Sequence, residues 1–190
     1  MKKLSISILA VIFSIGAAFS QPVSDLGVIP VGITLNSILR LNVTSGGNIE
    51  YIVNTIDQYT NGIAANSRYE THFTVSSSVN FDVAMYSDVS QFFGVDDVSH
   101  VIPLDNLGYI VTGGDATSTL IGVLTELTDV TTTEIVQSTG TGNAGDVTKN
   151  AFVVAWELGT IPSTSGTLLA QSIPSDRYVA NVILELYLHN

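Results

Sequence analysis

Apolar and polar positions alternate with a period of two along most of this chain, the repeat expected of strands that bury one face. Ile29, Val31, Ile33 and Leu35 alternate with Pro30, Gly32 and Thr34, and Leu39, Leu41 and Val43 alternate with Arg40, Asn42 and Thr44. Ser45-Gly46-Gly47-Asn48 has turn chemistry and leads to Ile49, Tyr51 and Val53, so residues 39–53 are predicted to form a hairpin. After a longer connection over 55–66, Tyr69, Thr71, Phe73 and Val75 make one face and Val79, Phe81, Val83 and Met85 another. Residues 87–103 break the pattern and read as a loop that tucks one of Phe92 and Phe93 inward, with room for a short helical turn. Strands are predicted again around Leu107, Tyr109 and Val111, over 120–127 and 130–136, at Phe152, Val154, Trp156 and Leu158, and briefly over 167–170. The last run is the clearest: Tyr178, Ala180, Val182, Leu184, Leu186 and Leu188 oppose Asn181, Glu185, Tyr187 and His189.

About ten strands, turn signals every ~8–12 residues and no helical spacing predict an all-β fold, an antiparallel two-sheet sandwich of immunoglobulin-like type. There is no internal repeat and no low-complexity linker. Residues 21–190 are therefore expected to form a single β-sandwich domain.

Residues 1–20 are set aside as a signal peptide. Lys2 and Lys3 precede an apolar run from Leu4 to Ala18, and Ala18-Phe19-Ser20 supplies the small residues of a cleavage site, which predicts a mature chain starting at Gln21. The expected location is secreted, extracellular or on the cell surface. The run is shorter than the ~20 residues of a membrane-spanning helix and no later segment rivals it, so no membrane span is expected. Gln21 is not the Cys that a bacterial lipoprotein would carry there.

Losing Lys2 and Lys3 moves the formal charge from −11 to −13, with only Arg40, Arg68, Lys149 and Arg177 against seventeen carboxylates. Four dispersed cations cannot make a patch for nucleic acid or anionic lipid, so neither is an expected partner. Cysteine is absent, which leaves burial and hydrogen bonding to hold an exported fold together.

Motifs with chemistry are few. Gly140-Thr141-Gly142-Asn143-Ala144-Gly145 matches the dinucleotide-binding pattern letter for letter, but the β-patterned segment after it offers no helix N-terminus for a pyrophosphate, and it reads as a flexible hairpin loop. His72, His100 and His189 lack metal-ligand spacing, and His72 shares a polar strand face with Glu70 and Thr74. Asp96, Asp97, Asp105 and Asn106 are the candidates for calcium, without the spaced acids of a calcium loop. Trp156, between Val154 and Leu158, reads as core. No G-x-S-x-G elbow occurs, and neither an enzyme activity nor a cofactor is expected.

The run Ser175-Asp176-Arg177-Tyr178-Val179-Ala180-Asn181-Val182-Ile183-Leu184 resembles spore coat U-like and pilin-like secreted β-sandwich domains of bacteria, including surface proteins of Bacteroidetes type. Trp156-Glu157-Leu158 is similar to the W-x-L tripeptide of a family of bacterial cell-surface proteins. The resemblance implies a surface-structural or adhesive role and identifies no site.

The expected function is thus a secreted structural or adhesive cell-surface protein, a fibre or surface-layer protomer that self-associates by β-strand addition. The candidate interface is Ile29, Val31, Ile33 and Leu35, whose alternation suits a neighbour's sheet or the first strand of the chain's own sandwich. A carbohydrate- or calcium-dependent binding module, with a surface glycan as partner, is the alternative.

Overall fold

The computed structural model describes residue 27 and residues 29–115, 117–130, 133–161 and 163–190, so the expected signal peptide lies outside the described residues. Within 36–190, a compact unit, the chain runs β1 (Leu39–Ser45), α1 (Ile56–Asn61), β2 (Glu70–Ser77), β3 (Phe81–Ser87), β4 (Gln91–Gly94) and β5 (Val101–Pro103). A 3-10 turn at Leu104–Asn106 leads to β6 (Leu107–Gly113), β7 (Ser118–Leu120), β8 (Thr125–Glu126), β9 (Glu134–Ser138), β10 (Ala151–Leu158), β11 (Tyr178–Val179) and β12 (Val182–Leu188). A five-stranded sheet has the order β1-β2-β10-β6-β8 and a four-stranded sheet the order β12-β3-β9-β7, every pairing antiparallel.

The two sheets share one apolar core, as the alternation predicts of a sandwich. Phe73, Val75, Tyr109, Val111, Phe152, Val154 and Trp156 enter it from the five-stranded sheet, and Phe81, Val83, Met85 and Val136 from the other. Phe73 and Phe152 are direct cross-strand partners with ring centroids 5.2 Å apart, a pairing that stabilises the ladder beyond its area of burial. Trp156 is core, as expected: it is 5% exposed, and its Nε1–H donates to Thr71 Oγ1 at 2.9 Å. The Thr71 hydroxyl then donates to Gly46 O at 2.7 Å. Gly46 holds a left-handed φ of +67°, and a Cβ there would collide with the backbone at Glu70, so the turn admits no side chain at this position.

Several details depart from the sequence-based expectation. Among the described residues there are twelve strands, and they form a third sheet, β11-β4-β5, in addition to the two. It arises from 87–103, read as a loop because its strands of four and three residues are too short to display a period. The final alternating run divides between sheets, β11 pairing with β4 and β12 with β3. The Asp88 carboxylate causes the break by taking the Asn181 backbone N–H at 3.1 Å and its side-chain amide at 2.7 Å. Residues 49–53 form no strand; β1 pairs with β2, and Tyr51 instead stacks on Tyr69 with centroids 4.2 Å apart. The connection 55–66 holds α1, whose capping box is legible as Thr55-Ile56-Asp57-Gln58. Thr167–Ala170, expected as a strand, is a turn closed by Gln171 N–H to Thr167 O. Among the described residues no helix is long and apolar enough to cross a membrane.

Candidate functional site

Ile29, Val31, Ile33 and Leu35 are 84, 82, 82 and 89% exposed and belong to no strand. Four branched apolar side chains on one alternating set, all in water, are not explained by the packing of single exposed apolar residues that any surface carries.

The unit at 36–190 offers strand edges of unequal quality. β7, β8, β5 and β11 are two or three residues long, and β5 ends in Pro103. β1 has seven residues, carries Arg40 and is bulged between Val43 and Ser45. Short length, charge, proline and bulges are the ordinary means by which an edge is kept from pairing. β12 has none of them except Glu185: it is seven residues long, and its register with β3 runs unbroken from Val182 opposite Ser87 to Leu188 opposite Phe81. Its core-facing residues Val182, Leu184 and Leu186 are only partly buried, and Leu188 is 51% exposed, whereas their ladder partners Ser87, Met85, Val83 and Phe81 are at most 2% exposed. The core is therefore incompletely covered along β12.

The outer face of the same sheet is polar. His189 Nδ1 lies 2.8 Å from Asp82 Oδ2, Tyr187 donates to Glu134 at 2.8 Å, and Tyr86 donates to Glu185 at 3.3 Å. Burial, with the Glu134 bond second, raises the Tyr187 phenol well above its ordinary range, so the hydroxyl stays a donor.

The calcium candidates do not converge. Asp105 Oδ2 accepts the Thr164 N–H at 2.9 Å, and Asn106 exchanges amide bonds with Gln171. Asp96 and Asp97 lie in another cluster, where their backbone N–H groups donate to the Asp176 carboxylate at 3.0 and 3.1 Å. That carboxylate has no exposed surface; it also accepts the Arg177 N–H at 2.7 Å and lies 3.0 Å from His100 Nδ1. The Asp96 N–H leads the interactions that hold its pKa down to about 2. Gly94 is obligatory beside it, since a Cβ there would collide with the Asp176 carboxylate. A carboxylate so fully occupied by N–H donors has no lone pair directed at a cation. Among the described residues, no three acidic or histidine side chains converge as a ligand set. Asp176 itself escaped the sequence reading because its partners are backbone amides some 80 residues earlier, as the 80-residue separation from Asp96 shows.

The Gly140–Gly145 segment is not a free loop. Asn143 is fully buried, its Oδ1 accepting the Phe81 N–H at 3.0 Å and its Nδ2 donating to Phe81 O at 2.9 Å. Gly145 bridges Ser77 by a reciprocal pair of backbone bonds. The glycines serve the approach of one backbone to another. His72 Nε2 lies 3.1 Å from Glu70 on the polar face expected for it.

No protein-family model matches this chain, and no curated protein matches it.

Proposed function

We propose that this chain is an exported structural or adhesive protomer of a cell surface, assembling into a fibre or layer by β-strand addition. The observation that carries the reading is the exposed alternating segment Ile29, Val31, Ile33 and Leu35, which takes part in no strand, while the apolar edge strand β12 has no second hydrogen-bonded partner among the described residues. A sandwich that contributes a strand to one neighbour and accepts one from a different neighbour makes heterologous contacts, and such contacts propagate into filaments or close into rings. The surface suits this use, because four cations in the mature chain place few desolvated lysines in the way of close packing. The resemblance of Ser175–Leu184 to pilin-like secreted domains implies the same role.

The test is the assembly state of the exported chain, followed by sedimentation velocity and negative-stain microscopy across a wide concentration range. The native chain is expected to form concentration-dependent oligomers, and a chain carrying Val31→Glu and Ile33→Glu to remain monomeric with an unchanged circular dichroism spectrum. A native chain that is monomeric throughout, or charged variants that assemble equally well, would overturn the reading.

A further inference from the structure

We infer that the acceptor for residues 29–35 of one copy is the free edge of β12 in another, and that the incoming strand pairs with it antiparallel. The inference rests on the strand-addition reading and adds the partner surface, direction and register parity to it.

The hydrogen-bond parity of β12 is fixed at both ends. Just before the strand, Asn181 O accepts the Asp88 N–H at 3.1 Å, and just after it the His189 N–H donates to Asn80 O at 3.0 Å. With an unbroken register between them, the odd-numbered residues bond to β3. The N–H and C=O groups of Val182, Leu184, Leu186 and Leu188 therefore point to the outer edge, where no second strand is hydrogen-bonded to β12 among the described residues. These same four residues occupy the core-facing positions of the strand, three of them packed against the core cluster.

In an antiparallel pair, residues directly opposite one another share parity, both facing the shared ladder or both facing away from it, and carry side chains on the same side of the sheet. A strand added antiparallel to β12 would thus set Ile29, Val31, Ile33 and Leu35 opposite its even-numbered residues. One parity then satisfies the hydrogen bonds of β12 and directs all four apolar side chains over the incompletely covered core. Pro30, with no N–H to give, falls in the other parity and faces away from β12, where its missing donor costs nothing.

Parallel addition reverses this. Each bonding residue of the incoming strand would bond to the two residues flanking its lateral neighbour, so burying Ile29, Val31, Ile33 and Leu35 would require Pro30, Gly32 and Thr34 to bond to β12. Pro30 cannot donate. The proline therefore selects the antiparallel direction, and once added it also obstructs a further strand on the new outer edge. The segment and β12 match in length as well: residues 29–35 and the strand each comprise seven residues.

The test uses the full chain carrying Val31→Glu and Ile33→Glu as acceptor and a labelled synthetic peptide of residues 27–37 as donor. Binding is followed by fluorescence anisotropy and amide hydrogen exchange. The peptide is expected to protect the amides of Val182, Leu184, Leu186 and Leu188. Methylating the peptide's Val31 nitrogen is expected to weaken binding about tenfold or more, and methylating Thr34 to leave it within about twofold, because only the former amide donates to β12. Protection on β1 instead of β12, or the opposite response to the two methyl groups, would overturn this arrangement while leaving strand addition standing. Failure of the peptide to bind overturns it too, and the sedimentation of the native chain then tells whether strand addition falls with it.

Discussion

His100 Nδ1 and Asp176 Oδ2 lie 3.0 Å apart, tying the end of the loop after β4 to the segment that leads into β11. The carboxylate sits among the N–H groups of Asp96, Asp97 and Arg177, with the Asp97 carboxylate as the acidic neighbour and itself lowered chiefly by its bond from Ser99. The third sheet is thus closed around a buried charge as well as by its ladder.

That closure sets an acid limit. A carboxyl held down to about 2 in the folded chain, against an ordinary value of 3.8, adds stability that is complete above about pH 4 and is lost as pH falls through about 2. Asp176→Asn removes this contribution and presents an amide N–H to groups that also donate. The variant is expected to melt at a lower temperature at pH 7 and to show a shallower fall in melting temperature between pH 4 and 2. Parallel acid slopes in the two proteins would contradict the assignment.

Asn143→Ala strips both backbone groups of Phe81 of their partner at a position without exposed surface. Two orphaned buried groups and a small cavity predict a loss of about 3 kcal/mol in urea unfolding. Asn143→Asp should be at least as damaging, since a carboxylate cannot donate to Phe81 O. A loss within 0.5 kcal/mol, the ordinary range of a surface change, would show the loop to be unanchored.

Thr71→Val leaves the Trp156 indole N–H buried without an acceptor and releases Gly46 O. A destabilisation of about 2 kcal/mol is expected by chemical denaturation. Thr71→Ser, which restores the hydroxyl, should recover most of it, and no recovery would assign the effect to packing alone.

The charged variants of the N-terminal segment should be neutral for the monomer. Val31 and Ile33 are each 82% exposed, so glutamate at both positions is expected to shift unfolding of the isolated chain by no more than about 0.5 kcal/mol. A larger shift in dilute monomer would show that the segment belongs to the chain's own fold.

The faces carried by β2, β3, β6, β10 and β12 were legible because each is long enough to repeat, and Phe73, Val83, Tyr109, Val154 and Leu184 point where the period places them. The third sheet was not legible. Its strands are too short for a period, and its closure depends on Asp176 meeting amides distant in sequence. The Asn143 anchor was hidden for a different reason: a glycine-rich sequence announces backbone freedom, and only the packed structure shows that a side-chain amide can mimic a ladder rung. Of the candidate site, the alternation of 29–35 was visible in the residues. The parity of β12 was not, because it is set by Asp88 and Asn80 across the sheet.

The division of the final run at Ala180–Asn181 restricts how this protein can diverge over evolutionary time. Because side chains change face at every residue, one insertion or deletion ahead of Val182 that slid β12 by one residue against β3 would turn Glu185 and Tyr187 inward and put Leu184 and Leu186 in water. Length changes at that junction must therefore come in twos, or be absorbed by a new bulge, for descendants of this chain to keep the fold.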